Sequence, residues 1–233
     1  MINFQTYASG SSANLYTIDD GRTRIMIEMG LPIKEIKKAL NFELSGISGA
    51  LLSHAHDDHA HGAADVLRAG VDVYTSPGTV RALDLSGHRI KPVSPGKQFT
   101  IGTWTILPFE AQHDAPEPLS FLMANQDGDK FLFATDTFYI AHKFRGLTGM
   151  AVECNYSLPL LTENLESGLV PLALKNRILK SHFSLDNVKK FLAANDLSGV
   201  REIHLIHLSS TNADPAFFKS EIERLTGKPT VTH

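Results

Sequence analysis

Cysteine is almost absent from this chain of 233 residues: Cys154 stands alone. An internal disulfide framework is thereby excluded, and a cytoplasmic location is the expectation. Long apolar runs are also missing, with nothing near the roughly 18 residues that cross a bilayer. The opening MINFQTYASGSS has no charged stretch leading into an apolar core, so no signal peptide is expected. Neither sign of charge dominates. The 22 basic residues face 25 acidic ones for a net charge of -3, which gives no global field for a polyanion. Any basic groove must therefore be local. Repeats, low-complexity tracts and linkers are lacking too, and 42 % of the residues are apolar. One large globular domain over residues 1–233 is expected.

What is present first is alternation. Short apolar runs (INFQTYA, LYTI, TRIMIEMG) are separated by GSSAN and DDGR, the pattern of an antiparallel meander. LPIKEIKKAL reads as a helix with Ile33, Ile36, Ala39 and Leu40 on one face and Lys34, Lys37 and Lys38 on a solvated one. ISGALLSH reads as a buried strand and HGAADVLRAG as a helix closed by Gly70. Residues 71–135 then carry a series of short strands. Helices are expected over KNRILKSH, over SLDNVKKFLAAND behind the capping Ser184, and over DPAFFKSEIERLTG, with a strand in GVREIHLIHLS. Strands in both halves with interspersed helices predict an α/β protein of two sheets covered by helices.

The densest chemistry lies in SHAHDDHAHG, where His54, His56, Asp57, Asp58, His59 and His61 follow an apolar strand. Imidazole and carboxylate are good ligands for zinc and similar ions, and a turn at a strand end can aim successive side chains into one cleft. One ion cannot easily use them all. Two imidazoles for one ion, with a carboxylate and a third imidazole for another, is the natural division of H-x-H-x-D-H. Asp136 ends the apolar run FLFAT, where a carboxylate is costly unless paired or metal-bound. His204 and His207 share a predicted strand, whose alternating faces allow only one of them into a cleft.

The pattern H-x-H-x-D-H resembles the signature of the metallo-β-lactamase superfamily. That resemblance implies a four-layer αββα sandwich and two divalent metal ions, zinc or manganese. It puts His54, His56 and His113 on the first ion, Asp58, His59 and His207 on the second, and Asp136 between them. His204 is left to packing or surface. His61, His88, His142 and His233 have no ligand role. With His56 in the signature and Asp136 as the bridging residue, hydrolysis is implied rather than redox chemistry.

Within the superfamily the chain is similar to the YycJ (WalJ) group of small DNA exonucleases, related to RNase Z. SGSSANLY, HDAPEP, ATDT, ECNYS, SHFS and HLSSTN carry this similarity across nearly the whole chain. It departs at Ala13, Phe138 and Ser181, where glycine is usual. The implied activity is a nucleic-acid phosphodiesterase, most specifically a DNA exonuclease. Cyclic-nucleotide hydrolysis is the alternative, and thioester or lactone hydrolysis a more distant one. The resemblance gives His182 a place beside the phosphate as proton donor to the leaving oxygen, and Asp58 can take the proton of the attacking water. Glu153 either orients His182 or faces solvent. Ser9, Ser11, Ser12 and Asn14 either donate to phosphate or form a plain turn, and Asp57 and Asp114 are expected to orient ligand imidazoles. A nucleic acid or nucleotide is the expected substrate, no membrane is involved, and homodimerisation is common in the family.

Overall fold

In a computed structural model describing residues 2–233, the first three apolar runs pair as the expected meander. β1 (Asn3–Ala8), β2 (Leu15–Asp19) and β3 (Arg24–Ile27) are antiparallel neighbours. Helix α1 (Ile33–Ala39) follows, then β4 (Ile47–Leu51), which runs parallel to β3. Next come α2 (Asp57–Ala60), α3 (Ala63–Arg68), β5 (Val73–Thr75), α4 (Pro77–Ala82) and β6 (Ile90–Pro92). The strands form one sheet in the order β1-β2-β3-β4-β5-β6. In its core Ala50 on β4 and Leu52, one residue beyond that strand, pack with Ile36, Ala63 and Val66 from helices and with Leu40, which caps α1. An antiparallel ribbon of β7 (Phe99–Ile101), β8 (Trp104–Glu110) and β9 (Leu119–Asn125) completes the first of two compact units. That unit runs to Glu110 and resumes over Ala115–Asp129.

The second unit comprises Ala111–Asp114 and Lys130–His233. Its strands are β10 (Lys130–Ala134), β11 (Gly149–Glu153), β12 (Ile203–Ile206) and β13 (Thr230–Thr232), all parallel and paired in that order. Both central strands, β11 and β12, are buried along their whole length, as parallel strands covered on two faces must be. Helices α5 (Leu158–Glu166), α6 (Leu172–Ser181) and α7 (Leu185–Ala193) connect β11 to β12, and α8 (Pro215–Thr226) connects β12 to β13. Leu185, Val188, Phe191 and Leu192 form the buried face of α7, and Ser184 caps it by accepting from the Asn187 amide at 3.2 Å. No helix among the described residues is long and apolar enough to cross a membrane.

Several elements differ from the sequence expectation. The histidine-rich turn contains a helix of its own, α2, and the helix expected over HGAADVLRAG is shorter, starting at Ala63 after Gly62. The sequence of residues 71–135 predicts short strands, yet Pro77 opens the helix α4 behind the Ser76 cap, where a missing N–H costs nothing. The strand expected through His207 stops at Ile206, and His207 takes φ +54 in the left-handed region.

Candidate active site

In the first unit, β4 delivers the chain to Ser53, and the residues that follow leave the sheet at a strand end. The Ser53 amide donates to Glu28 Oε2 at 3.4 Å, and Ser53 Oγ lies 2.8 Å from His54 Nδ1. This engages one side of the His54 ring, and its Nε2 meets His56 Nδ1 at 3.0 Å. Asp58 and His59 ride on α2. His59 Nε2 is 3.3 Å from Asp58 Oδ2 and 3.1 Å from Asn14 Nδ2, while its Nδ1 is 3.5 Å from Glu28 Oε2. Glu28 is fully buried at φ +61, and its only sequence signal is that it is the one acid in the apolar run 25–29.

Asn14 is buried, and its amide ties the chain together. Its Oδ1 accepts from the Gly10 amide at 3.1 Å and from the Tyr16 hydroxyl at 2.9 Å, while Nδ2 donates to Gly10 O at 3.0 Å and Asp58 O at 3.2 Å. The Asn14 amide donates to Asp58 O as well, at 2.8 Å. Ser11 and Ser12 are exposed, whereas the half-buried Ser9 accepts from the Tyr16 hydroxyl at 3.0 Å. A glycine is needed at position 30, because a methyl there would overlap the Asp58 carbonyl and crowd the Asn14 amide. Asp57 pairs with His61 at 3.1 Å rather than with a candidate ligand.

In the second unit three candidates lie at the carboxyl ends of adjacent parallel strands, where α/β sheets usually build their sites. Glu153 closes β11 and is in register with Ile206, His207 follows directly on β12, and Asp136 lies two residues beyond β10 at φ +44. Asp136 Oδ2 is 3.3 Å from His113 Nε2, and its Oδ1 is 3.4 Å from His207 Nε2, so one carboxylate faces two imidazoles. His113 Nδ1 donates to the Ser181 carbonyl at 2.7 Å, which leaves the lone pair on Nε2. Asp114 lies 3.3 Å from His113 Nε2 and accepts from Arg177 Nε at 2.6 Å.

His182 ends α6, with Nδ1 2.6 Å from Glu153 Oε1 and its ring stacked on His207 at 5.5 Å. Glu153 is fully buried and also accepts the Thr137 and Phe183 amides, at 2.9 and 3.1 Å. Glu153 therefore lies against His182 and does not face solvent. Burial alone would raise the Glu153 pKa, but the His182 charge and the hydrogen bonds from His182 and His207 outweigh it and hold the carboxyl below its usual range. For His182 burial pulls downward, and the Glu153 charge and hydrogen bond reverse this to a raised pKa. Cys154, buried beside Glu153, is pushed well above the ordinary thiol range by burial and then by the Glu153 charge.

Two residues given no role in the sequence reading also pair here. His204 Nδ1 is 2.9 Å from His233 Nε2, and His204 Nε2 is 3.1 Å from Glu202.

The donors fit divalent metal. Bonds of about 2.0–2.2 Å at tetrahedral angles put neighbouring ligand atoms about 3.3 Å apart. The pairs His54–His56, Asp58–His59, His113–Asp136 and Asp136–His207 lie at 3.0, 3.3, 3.3 and 3.4 Å. Each of these residues belongs to a donor group able to hold a metal ion, and Asp136, Glu153, His182 and His207 form one such group inside the second unit.

Comparison with known proteins agrees with this chemistry. The sequence profile of the beta-lactamase superfamily domain matches residues 29–157. Exodeoxyribonuclease WalJ of Streptococcus pneumoniae is 29 % identical over 226 residues, covering 90 % of this chain and 82 % of the relative. Exodeoxyribonuclease YycJ of Bacillus anthracis is 27 % identical over 229 residues, covering 91 % and 84 %. The metallo-β-lactamase fold protein YhfI from Bacillus subtilis superposes with a TM-score of 0.76 at 12 % identity, over 100 % of this chain and 95 % of that one. This likeness shows the metallo-β-lactamase fold, in the α/β class expected from the sequence.

Proposed function

Because the chain belongs to the β-lactamase superfamily, we propose that it is a metal-dependent phosphodiesterase that hydrolyses nucleic acid, specifically a DNA exonuclease. His54, His56 and His113 would hold one divalent ion, Asp58, His59 and His207 a second, and Asp136 would serve as a ligand to both, with zinc as the metal and manganese as the alternative. Bound there, such ions lower the pKa of water toward neutrality and neutralise charge on phosphoryl oxygens. Asp58 receives the proton of the attacking water. His182, held at Nδ1 by Glu153, gives a proton from Nε2 to the departing alkoxide.

The observation that carries this reading is the Glu153–His182 contact beside Asp136 and His207. A ligand set alone serves many hydrolytic reactions. An oriented proton donor next to it suits a leaving oxygen that would otherwise depart as a strong base. The likeness to two exodeoxyribonucleases over most of the chain supports nucleic acid as substrate.

The test uses metal-loaded protein with end-labelled single-stranded DNA, RNA and bis-p-nitrophenyl phosphate, with cyclic mononucleotides and a glutathione thioester alongside. Shortening of DNA is expected. Absence of cleavage of every phosphodiester, with two bound metals confirmed by elemental analysis, rejects the proposal. Asp136→Ala is expected to lose metal. His182→Ala is expected to keep metal and to turn over about 10²- to 10⁴-fold more slowly, and full activity in that variant would remove its role.

A further inference from the structure

A second feature of the same unit has no part in the chemistry above. A cavity of about 260 Å³ lies between the segment following Asp136 and helix α7, lined by Tyr139, His142, Lys143, Phe183, Asn187 and Lys190 among others. We propose that this cavity is a nucleotide subsite, in which Tyr139 stacks on a base of a single strand while Lys143 and Lys190 meet the flanking phosphates. The proposal rests on the phosphodiesterase reading and adds how the strand is gripped.

Charge decides for a polyanion. No acidic side chain lines the cavity. Lys143 and Lys190 are both exposed, and neither forms an ion pair among the described residues, whereas Lys189, next in the helix, is paired with Glu221. Shape decides for a base. Tyr139 is 55 % exposed at the rim, and Phe183 and Phe191 form an apolar floor, a combination that takes a flat ring with a charged edge. The volume falls just below the roughly 300 Å³ at which drug-sized pockets begin, so it suits one nucleoside rather than a longer segment.

Hydrogen bonds also connect the segments lining the cavity to Glu153. Glu153, which holds His182, accepts the Thr137 and Phe183 amides. Thr137 Oγ1 donates to Tyr139 O at 2.8 Å, Asn187 Nδ2 donates to Phe138 O at 3.3 Å, and the Phe144 amide donates to Asn195 Oδ1 at 2.7 Å. Phe183 follows His182 in the chain, about 3.8 Å away along the backbone.

Binding of a fluorescent, nuclease-resistant phosphorothioate oligothymidylate to the full-length protein, followed by anisotropy across a salt series, tests this. Tyr139→Ala should weaken binding roughly 5- to 150-fold, and Tyr139→Phe should restore it. Lys143→Ala and Lys190→Ala should each reduce the slope of log affinity against log salt by about 0.7. Phe42→Ala, an exposed aromatic in the other unit, should bind as wild type. Because Tyr139, Lys143 and Lys190 are exposed, melting temperatures close to wild type are expected in all three variants. Unchanged affinity and slope in all three, or no binding by the wild type, overturns the subsite. Hydrolysis of bis-p-nitrophenyl phosphate by the wild type separates the two readings. Tyr139-dependent binding without any hydrolysis supports the subsite and rejects the phosphodiesterase, whereas hydrolysis with Tyr139-independent binding does the reverse.

Discussion

Glu153 Oε1 sits 2.6 Å from His182 Nδ1, and the carboxyl that makes this contact is buried and also receives two backbone amides. One side chain thus contacts the His182 ring and ties two separate segments of backbone, at Thr137 and at Phe183. Glu153→Gln keeps the shape and loses the charge. Its expected result is a 10- to 100-fold fall in kcat with metal content retained, read by steady-state kinetics alongside elemental analysis. Wild-type kcat would mean that His182 is positioned by something else.

Gly30 lies where the meander meets α2, and a methyl there overlaps the Asp58 carbonyl. The obstacle is backbone, which cannot rotate aside as a flexible side chain would. Gly30→Ala is expected to cost about 1–3 kcal/mol of unfolding free energy, visible as a lower denaturant midpoint, and to weaken metal binding through Asp58 and His59. A variant as stable as the wild type would show that the turn can shift without loss.

The His204–His233 pair gives a dependence on acidity. Burial pushes His204 down from 6.5 to about 4, and burial with the His204 charge pushes His233 to about 4. As pH falls below about 6.5 the unfolded chain takes up protons that the folded chain refuses, so stability is full above that value and is lost progressively toward pH 4. The rings are 2.9 Å apart and titrate together. For His204 alone the loss is on the order of 3 kcal/mol at 1.36 kcal/mol per pH unit. Urea unfolding at pH 7 and pH 5 should show a larger drop in wild type than in His204→Phe. Equal drops would remove the pair as the cause.

What the sequence made legible was local. A strand, six ligand-type residues and a helix are contiguous between Ile47 and Arg68, so the turn could be placed without knowing the fold. The apolar run before Asp136 marked a strand end for the same reason. Asn14 could not be understood that way, because its partners Asp58 and His59 are 44 and 45 residues distant. Glu28 and Glu153 were ambiguous as sequence, since the apolar runs that precede them do not say whether the chain then turns inward. His207 was assigned to a strand because alternation presumes extended backbone, and its left-handed φ breaks that rule at the residue proposed as a metal ligand. Short elements such as α4 and β13 carry too few residues for periodicity to register.

The chain's single thiol has a practical consequence. Cys154 is held between Glu153 and Asn155, out of reach of solvent and resistant to ionisation. An alkylating reagent therefore stays silent until the second unit opens, and the labelling rate then measures how often that happens. The molecule carries its own clock for local opening, next in the chain to the glutamate that contacts His182 and requiring no engineered probe.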